Sequence, residues 1–441
     1  MLRVNSKLVQ KGDTFLALKG IKRDGHNYIE DAINKGAVCV ICEHGDYPVK
    51  TIITDDTRSY LGKYLKDLNE DKLSKIKIIG IVGSTGKTVT GDFIYQLLNI
   101  LGHKTAVIGT NGFYAPDYYE ALAESTPDIY KIYECINKAI SLGCKSIVIE
   151  ASSGAIIQRH LEGLMFDFVI FTNIVTNSTK DIDLYVNSKV SIFKNLKKTG
   201  YAIINKKDKY TEEFTLSSNN NIFYNDGDFK LSNIKLGYSS TEFNINDNHI
   251  YLPLIGIFNA HHYLASYIIS RLLSFDDSEI IEATKKMVPA DGRFQNINFG
   301  NKLIIIDYAH EVCDINNIIK ETKDFALGKI ITVIGCGGDR DNSKRPKIGK
   351  LVTEKCDYAI FTNDNPRNED PLVILDEIKK GATSDNYTVI PNRKDAIKKG
   401  IGMLLDNDIL LILGKGHENI QIADDVTYDF KDYDEVMKII R

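Results

Sequence analysis

The sequence predicts an α/β protein of three domains: a small N-terminal α/β domain, a central phosphate-loop-type domain with a mostly parallel sheet, and a C-terminal Rossmann-like α/β domain. Three observations carry that prediction. From Lys75 onward, short β-branched runs alternate regularly with helical stretches, the order that builds parallel sheets. One of these runs breaks into the glycine-rich turn Gly83-Ser-Thr-Gly-Lys-Thr88 and then directly into a helical stretch. The segment Val288-Pro-Ala-Asp-Gly-Arg293 reads as a boundary, and a further strand–helix series follows it.

In residues 1–75, Asp13-Thr-Phe-Leu-Ala-Leu-Lys-Gly20 reads as a strand closed by a glycine turn. Asn27 to Lys35 reads as a helix stopped by Gly36, and Ala37 to Ile41 as the next strand. Lys66-Asp-Leu-Asn-Glu-Asp-Lys72 reads as a helix end and linker. In residues 76–287 the expected strands are Ile78 to Val82, Thr105 to Ile108, Ser146 to Ile149, Val169 to Thr172 and Tyr201 to Ile204. After the polar loop Ser217-Ser-Asn-Asn-Asn, Glu242 to Leu252 reads as a hairpin and His261 to Leu273 as a closing helix. In residues 288–441 the strands are Leu303 to Asp307, Lys329 to Ile334, Tyr358 to Thr362 and Ile409 to Leu413. A parallel sheet presents its ligand groups at the C-terminal ends of its strands, and the motifs below fall there.

Composition narrows the function classes. Hydrophobic residues at 43% and charged residues at 26% of 441 are those of a soluble globular protein. A net charge of −4 offers no nucleic-acid or membrane-surface partner. No apolar run approaches the ~20 residues of a membrane helix, and the opening Met1-Leu-Arg-Val-Asn-Ser carries no signal-like apolar segment. Seven scattered cysteines argue for a reducing compartment, so the cytoplasm is the expected location; a monomer is the expected state. Cys39-Val-Ile-Cys42 sits in an apolar strand and is expected to be buried core thiol rather than a redox or metal pair.

The glycine turn can aim backbone N–H groups and the positive end of a helix at a polyphosphate. Lys87 would reach the outer phosphates and the Thr88 hydroxyl would coordinate Mg²⁺. Ile81 stands where the full phosphate-loop pattern has its first glycine, so an ordinary strand-to-helix turn with an exposed lysine remains the alternative. Glu150, after the strand Ser146 to Ile149, could share that Mg²⁺ or could simply be a helix N-terminal acid. Asp307-Tyr-Ala-His310 also ends a strand; a lone His310 could be catalytic or a satisfied loop histidine. Three more strand ends carry Gly335-Cys-Gly-Gly-Asp-Arg-Asp-Asn-Ser-Lys-Arg-Pro346, Asp364-Asn-Pro-Arg367 and Gly414-Lys-Gly-His-Glu418. Together they offer both signs of charge, enough to hold a small zwitterion with its carboxylates on arginine and its amine on a carboxylate.

These motifs, in this order and over nearly the whole chain, resemble the Mur ligase family, the ATP-dependent amide ligases of peptidoglycan precursor synthesis. The likeness is strongest to the UDP-N-acetylmuramoyl-tripeptide synthetase branch (MurE type) that adds meso-diaminopimelate. It also takes in Asp24-Gly-His26, Ser125-Thr-Pro127, Glu150-Ala-Ser-Ser153, Phe171-Thr-Asn173, Asn187-Ser-Lys-Val-Ser-Ile-Phe193, Gly256-Ile-Phe-Asn259 and Gly292-Arg293. The resemblance implies that ATP and Mg²⁺ are used and that the acceptor carboxylate is phosphorylated to an acyl phosphate. The amine of the incoming amino acid then attacks and phosphate leaves, with a closing motion between domains.

By the same resemblance, Gly83, Ser84, Thr85, Gly86, Lys87, Thr88, Asn259, Arg293 and Asp307 would bind ATP. Lys87, Lys189, Glu150 and His310 would serve catalysis, Lys189 as the carbamylated lysine that joins Thr88 and Glu150 at the metal. Ser6, Thr126, Ser152, Gln158 and Arg159 would face the UDP-muramoyl-dipeptide. Arg340, Asp364, Asn365, Arg367, Gly414 and Glu418 would hold the amino acid. The chain departs from the family pattern at several places. Thr85 stands for an asparagine, Gly154 for a histidine, His160 for a substrate arginine and His262 for an asparagine. Asn177-Ser-Thr-Lys-Asp-Ile-Asp183 lacks the family's histidines, and Asn5-Ser6-Lys7 stands in for Asp-Ser-Arg. At this level a paralogue using another carboxylate acceptor, or a non-catalytic nucleotide- or amino-acid-binding relative, stays open beside the ligase.

Overall fold

The computed structural model describes residues 1–441 apart from 21–22, 177–180, 216, 219 and 425. The chain forms two compact units, residues 1–230 with 264–275, and residues 231–263 with 276–441.

The first unit begins with a four-stranded parallel sheet, ordered as in the chain: Leu2–Arg3, Thr14–Leu16, Cys39–Cys42 and Lys50–Ile53. Phe15, Ala17, Ile29, Ala32 and Val40 form its small core. All four residues of Cys39–Cys42 are buried, as the apolar setting of that pair implied. The stretch expected to be a linker is helical: Thr57–Leu68 ends and Glu70–Leu73 follows at once, because Asn69 is buried and caps the junction on the Leu65 carbonyl.

An eight-stranded sheet then runs, edge to edge, through Asn221–Tyr224, Leu196–Asn205, Phe166–Phe171, Lys77–Val82, Ser146–Glu150, Thr105–Gly109, Gly112–Ala115 and Tyr118–Glu120. The first six are parallel, and the last two add antiparallel strands at one edge. From Lys77–Val82 the chain crosses over its neighbour to Thr105–Gly109, and Ser146–Glu150 fills the gap between them. That is the switch-point arrangement in which parallel sheets bind ligands. Ile81 is fully buried in the strand, which accounts for an apolar residue where a glycine might have stood.

The second unit opens with a three-stranded antiparallel sheet, Leu231–Leu236, Thr241–Ile245 and Asn248–Leu252; the last two form the expected hairpin. Its main sheet is ordered Gln295–Phe299, Lys302–Asp307, Ile409–Leu413, Ile330–Ile334, Tyr358–Phe361 and Tyr387–Val389, parallel except for the first pair. Successive residues serve opposite faces: Leu303 and Ile305 pack in one core, Ile304 and Ile306 in the other. A sheet covered on both faces needs such unbroken apolar strands, and Leu411→Ala in its centre would cost about 2–5 kcal/mol. The order also sets Asp307, Leu413, Ile334 and Phe361 side by side at one edge of the sheet, so the four motif loops that follow them are neighbours. Among the described residues, no helix is long and apolar enough to cross a membrane.

Candidate active site

In the first unit the site grows from Val82. Gly83 follows it at φ 154°, and a Cβ there would lie 1.8 Å from the Thr172 hydroxyl, so only glycine lets the turn pass. Gly86 (φ 80°) starts the helix Lys87–Ile100, whose first-turn N–H groups and positive end face the turn. The neighbouring strand end braces the loop. Asn173 Oδ1 accepts from the Thr85 backbone N–H at 3.0 Å and from its hydroxyl at 3.1 Å, and the Ser84 hydroxyl pairs with that of Tyr185 at 2.8 Å. Lys87 Nζ donates to the carbonyls of Gly83 and Ser84 at 3.0 and 3.1 Å.

Glu150 is the last residue of its strand rather than the first after it, and it is buried. Its carboxylate accepts from the hydroxyls of Thr88 (3.0 Å) and Thr110 (3.1 Å) and from the Thr110 N–H (3.0 Å). Lys189, 1% exposed on the helix Ile182–Ser191, donates to the Gly83 carbonyl at 2.8 Å and lies 4.4 Å from the Tyr185 ring centroid. Burial, and then the charge of Lys87, draw its pKa down to about 7. Its amine is therefore partly neutral near physiological pH, the form able to add carbon dioxide. Among the described residues, no three His, Cys, Asp or Glu side chains cluster as a protein-only metal site. The hydroxyl and carboxylate oxygens of Thr88 and Glu150 nonetheless fit Mg²⁺, which takes one or two protein oxygens and completes its shell with phosphate and water.

The candidate acceptor residues also lie in this unit, and several of their polar atoms are engaged. Thr126 Oγ1 donates to the Glu150 carbonyl (2.7 Å) and accepts from the Ser152 N–H (3.1 Å), while Ser152 Oγ caps the helix Ser153–Ile157. Arg159 holds Glu162 at 2.9 Å and also bonds Asp56 and Ser59. The Gln158 carbonyl accepts from Arg58 at 3.0 Å. His160 is buried against the Thr126 carbonyl at 3.0 Å, which explains why a histidine sits there without facing solvent. Ser6 is buried in the short turn Ser6–Leu8. Of the segment that departs most from the family pattern, residues 177–180 lie outside the described residues.

In the second unit the strand-end loops enclose a cavity of about 240 Å³. All six residues expected to hold the amino acid line it: Arg340, Asp364, Asn365, Arg367, Gly414 and Glu418; His310 lines it too. Tyr308, Glu311 and Lys344 join them, with Lys344 and Glu311 ion-paired. Beneath the cavity Lys415, fully buried, donates to Asn365 Oδ1 (3.0 Å), Glu418 Oε2 (3.0 Å) and the Ile420 carbonyl (2.6 Å). Asn365 Nδ2 completes the triangle to Glu418 at 2.8 Å. Lys415 lies inside the motif Gly414-Lys-Gly-His-Glu418, and its isolation as a cation between two glycines at an apolar strand end is the sequence signal for this role.

Of the three remaining ATP candidates, Asn259 is buried and donates to the Ile255 carbonyl at 2.8 Å. Asp307 accepts from the N–H groups of Phe294 (2.6 Å) and Ala309 (2.7 Å), and burial raises its pKa against the opposing charge of Arg293. It thus ties the backbone next to Arg293 and the loop before His310 to one carboxylate. The Arg293 guanidinium lies 4.6 Å from the Tyr308 ring centroid. On the same ring sits His417, whose pKa burial and the Arg293 charge lower to about 4, leaving it neutral. Gly292 makes this packing possible, since a Cβ there would meet the His417 backbone nitrogen at 1.9 Å.

Comparison with known proteins finds relatives along most of the chain. Residues 81–270 match the Mur ligase middle domain, residues 292–416 the Mur ligase glutamate ligase domain, and residues 1–66 the Mur ligase family catalytic domain. The chain is 34% identical over 461 residues to the UDP-N-acetylmuramoyl-L-alanyl-D-glutamate–2,6-diaminopimelate ligase of Clostridium perfringens, covering 100% of this chain and 94% of that relative. It is 33% identical over 455 residues to the protein of the same name from Aquifex aeolicus, covering 100% and 93%. A solved structure of a UDP-N-acetylmuramoyl-L-alanyl-D-glutamate–2,6-diaminopimelate ligase superposes with a TM-score of 0.75 at 26% identity, covering 100% of this chain and 94% of the other. The MurF ligase of Thermotoga maritima, solved with ADP, shares the fold at a TM-score of 0.61 and 19% identity, covering 100% and 96%.

Proposed function

The chain belongs to the Mur ligase family of ATP-dependent ligases, and on that premise we propose that it joins meso-diaminopimelate to UDP-N-acetylmuramoyl-L-Ala-D-Glu in peptidoglycan precursor synthesis. The observation that carries the substrate is the cavity of the second unit. Two guanidinium groups, Arg340 and Arg367, and two carboxylates, Asp364 and Glu418, line one small space beside the mutually neutralising pair of Lys344 and Glu311, which suits a molecule with two carboxylates and two amines.

The reaction follows from the residues. Lys87 and the N–H groups of the loop neutralise the transferring phosphoryl group as the acceptor carboxylate becomes an acyl phosphate. Lys189, as its carbamate, would join Glu150 and Thr88 in holding Mg²⁺, which would supply positive charge against the phosphoryl group. Arg340 and Arg367 orient the amino acid by its carboxylates and Glu418 holds an amine. The free amine attacks the acyl carbon, phosphate leaves from the tetrahedral intermediate, and a proton passes to His310 or water. Asn259, Arg293 and Asp307 would complete the ATP site, and Ser6, Thr126, Ser152, Gln158 and Arg159 the UDP-sugar side. In this reading residues 1–75 serve the UDP-substrate, 76–287 the nucleotide and 288–441 the amino acid, in a monomer that works in the cytoplasm.

A second reading, the same chemistry on another carboxylate acceptor, is favoured by one feature: Arg159 is already tied to Asp56, Ser59 and Glu162. Mass spectrometry of the product formed from ATP, Mg²⁺, UDP-muramoyl-dipeptide and meso-diaminopimelate tests the proposal. A UDP-muramoyl-tripeptide is the expected product. Amino-acid-dependent ATP use that appears only with other carboxylates would replace the acceptor, and no coupled product would overturn the reading.

A further inference from the structure

Arg345 breaks a local rule. It is the first residue of the helix Arg345–Lys355, where the helix dipole disfavours a cation, and it is 1% exposed, where an unpaired guanidinium is costly. Its surroundings compensate. The guanidinium forks onto both oxygens of Glu369 (2.8 and 2.9 Å) and donates to Glu377 Oε2 (2.8 Å) and to the Gly337 carbonyl (3.1 Å). Hydrogen bonds from Arg345 therefore reach two different loops. Gly337 belongs to the turn after the strand Ile330–Ile334 that carries Arg340, and Glu369 follows the turn after Tyr358–Phe361 that carries Arg367.

The two turns are laced together around this fork. Glu369 accepts from the Asp339 N–H at 2.5 Å, and Asn368 Nδ2 donates to Asp339 at 3.1 Å. The Gly338 N–H donates to the Asn365 carbonyl at 2.9 Å, and Arg367 Nη1 donates to the Gly338 carbonyl at 2.7 Å. The turns have no room to slide: a Cβ on Gly338 would lie 1.9 Å from the Pro366 carbonyl oxygen. Asp339 and Arg367 both hold left-handed backbones, φ 53° and 52°, which the lacing must maintain. Glu377, by contrast, lies on the helix Pro371–Lys379 and belongs to neither turn.

We propose that Arg345, acting with Glu369, is a positioning residue that sets the separation of Arg340 and Arg367 and so selects the amino acid by the distance between its two carboxylates. The assignment rests on the reading of the cavity as the diamino-dicarboxylate site. A buried fork with planar, bidentate geometry can hold two loops at a fixed distance; a lysine, a point charge on a flexible stem, cannot. The device differs from Lys415, which fixes Asn365 and Glu418 within the floor of the cavity.

The test uses the full chain and compares meso-diaminopimelate with its homologue one methylene shorter, 2,5-diaminoadipate, for wild type, R345K, E369Q and E377Q. In R345K and E369Q the KM for meso-diaminopimelate should rise about tenfold or more, the scale of losing one charge-assisted hydrogen bond. The preference for the longer substrate should fall with it, while the KM for ATP stays within about twofold. E377Q removes an equal charge from Arg345 but ties no turn, so its preference should stay at the wild-type value even if its melting temperature falls as far as that of E369Q. Unchanged preference in both R345K and E369Q, or a parallel rise in the KM for ATP, would overturn the positioning role alone. A wild-type protein that does not turn over meso-diaminopimelate would overturn the proposed function, and this assignment with it.

Discussion

In the second unit, Arg340, Arg367, Asp364 and Glu418 all line a cavity of about 240 Å³, and the buried groups behind them, Lys415 and Arg345, hold their loops in place. In the first unit, Lys87 and Lys189 both end on the Gly83 carbonyl, and Arg159 is shared among three side chains of its own unit. One region is organised around an open space and the other around its own backbone. A preformed pocket loses little conformational freedom on binding. A phosphate loop whose cations already have partners must exchange them. That exchange is close to neutral for each hydrogen bond, but gains strongly from charge when a polyphosphate replaces carbonyls. Two lysines converging on one oxygen are the groups a polyanion would relieve.

The sharpest way to break the contrast is Lys87→Ala. If the loop exchanges its internal partners for phosphate, turnover should fall by about a thousandfold or more, read as phosphate release. Undiminished turnover would remove the loop from the chemistry. Next in size, Arg367→Ala should raise the KM for the amino acid about thirty- to a hundredfold, with little change in the KM for ATP. An equal loss for every substrate would show that the cavity is not a separate, preformed site.

Lys189 gives a pH test of the other region. Its folded pKa, about 7, lies below the ordinary lysine value of 10.5. Between those values the unfolded chain binds a proton that the folded chain has shed, so stability rises with pH across that window and is lowest below about pH 7. Lys189→Met should flatten that rise and lift the melting temperature below neutrality by a few degrees, while abolishing ligase turnover. A melting curve with the wild-type pH slope would contradict the burial argument. The smallest effect is expected for Asp56→Asn. Loosening one partner of the half-exposed Arg159 should cost under about 1 kcal/mol of stability. It should lower the KM for the acceptor about twofold if Arg159 must leave Asp56 to bind it, as measured by initial rates at varied UDP-muramoyl-dipeptide.

Most of the parallel framework was legible in the sequence, because a strand buried on both faces must be continuously apolar, as Ile409–Leu413 is. The edges were not. Tyr118–Glu120 and Tyr387–Val389 are three residues each and partly exposed, and Gly112–Ala115, though mostly buried, is only four residues long, so none carries an apolar run long enough to stand out. The amino-acid residues were legible because each sits within a few positions of a strand end, and sheet order then makes them neighbours. What holds them was not: Arg345 meets Glu369 across 24 residues and Glu377 across 32, and nothing in the local pattern marks those pairs. Engagement was equally invisible, since Arg159 reads as a substrate cation until Asp56 is found beside it.

The most direct measurement is phosphate release from ATP with Mg²⁺, with UDP-muramoyl-dipeptide and meso-diaminopimelate both present and with each omitted in turn. A ligase of this construction releases phosphate at its full rate only when both are present. Release that ignores the amino acid, or none under any of these conditions, would contradict the account.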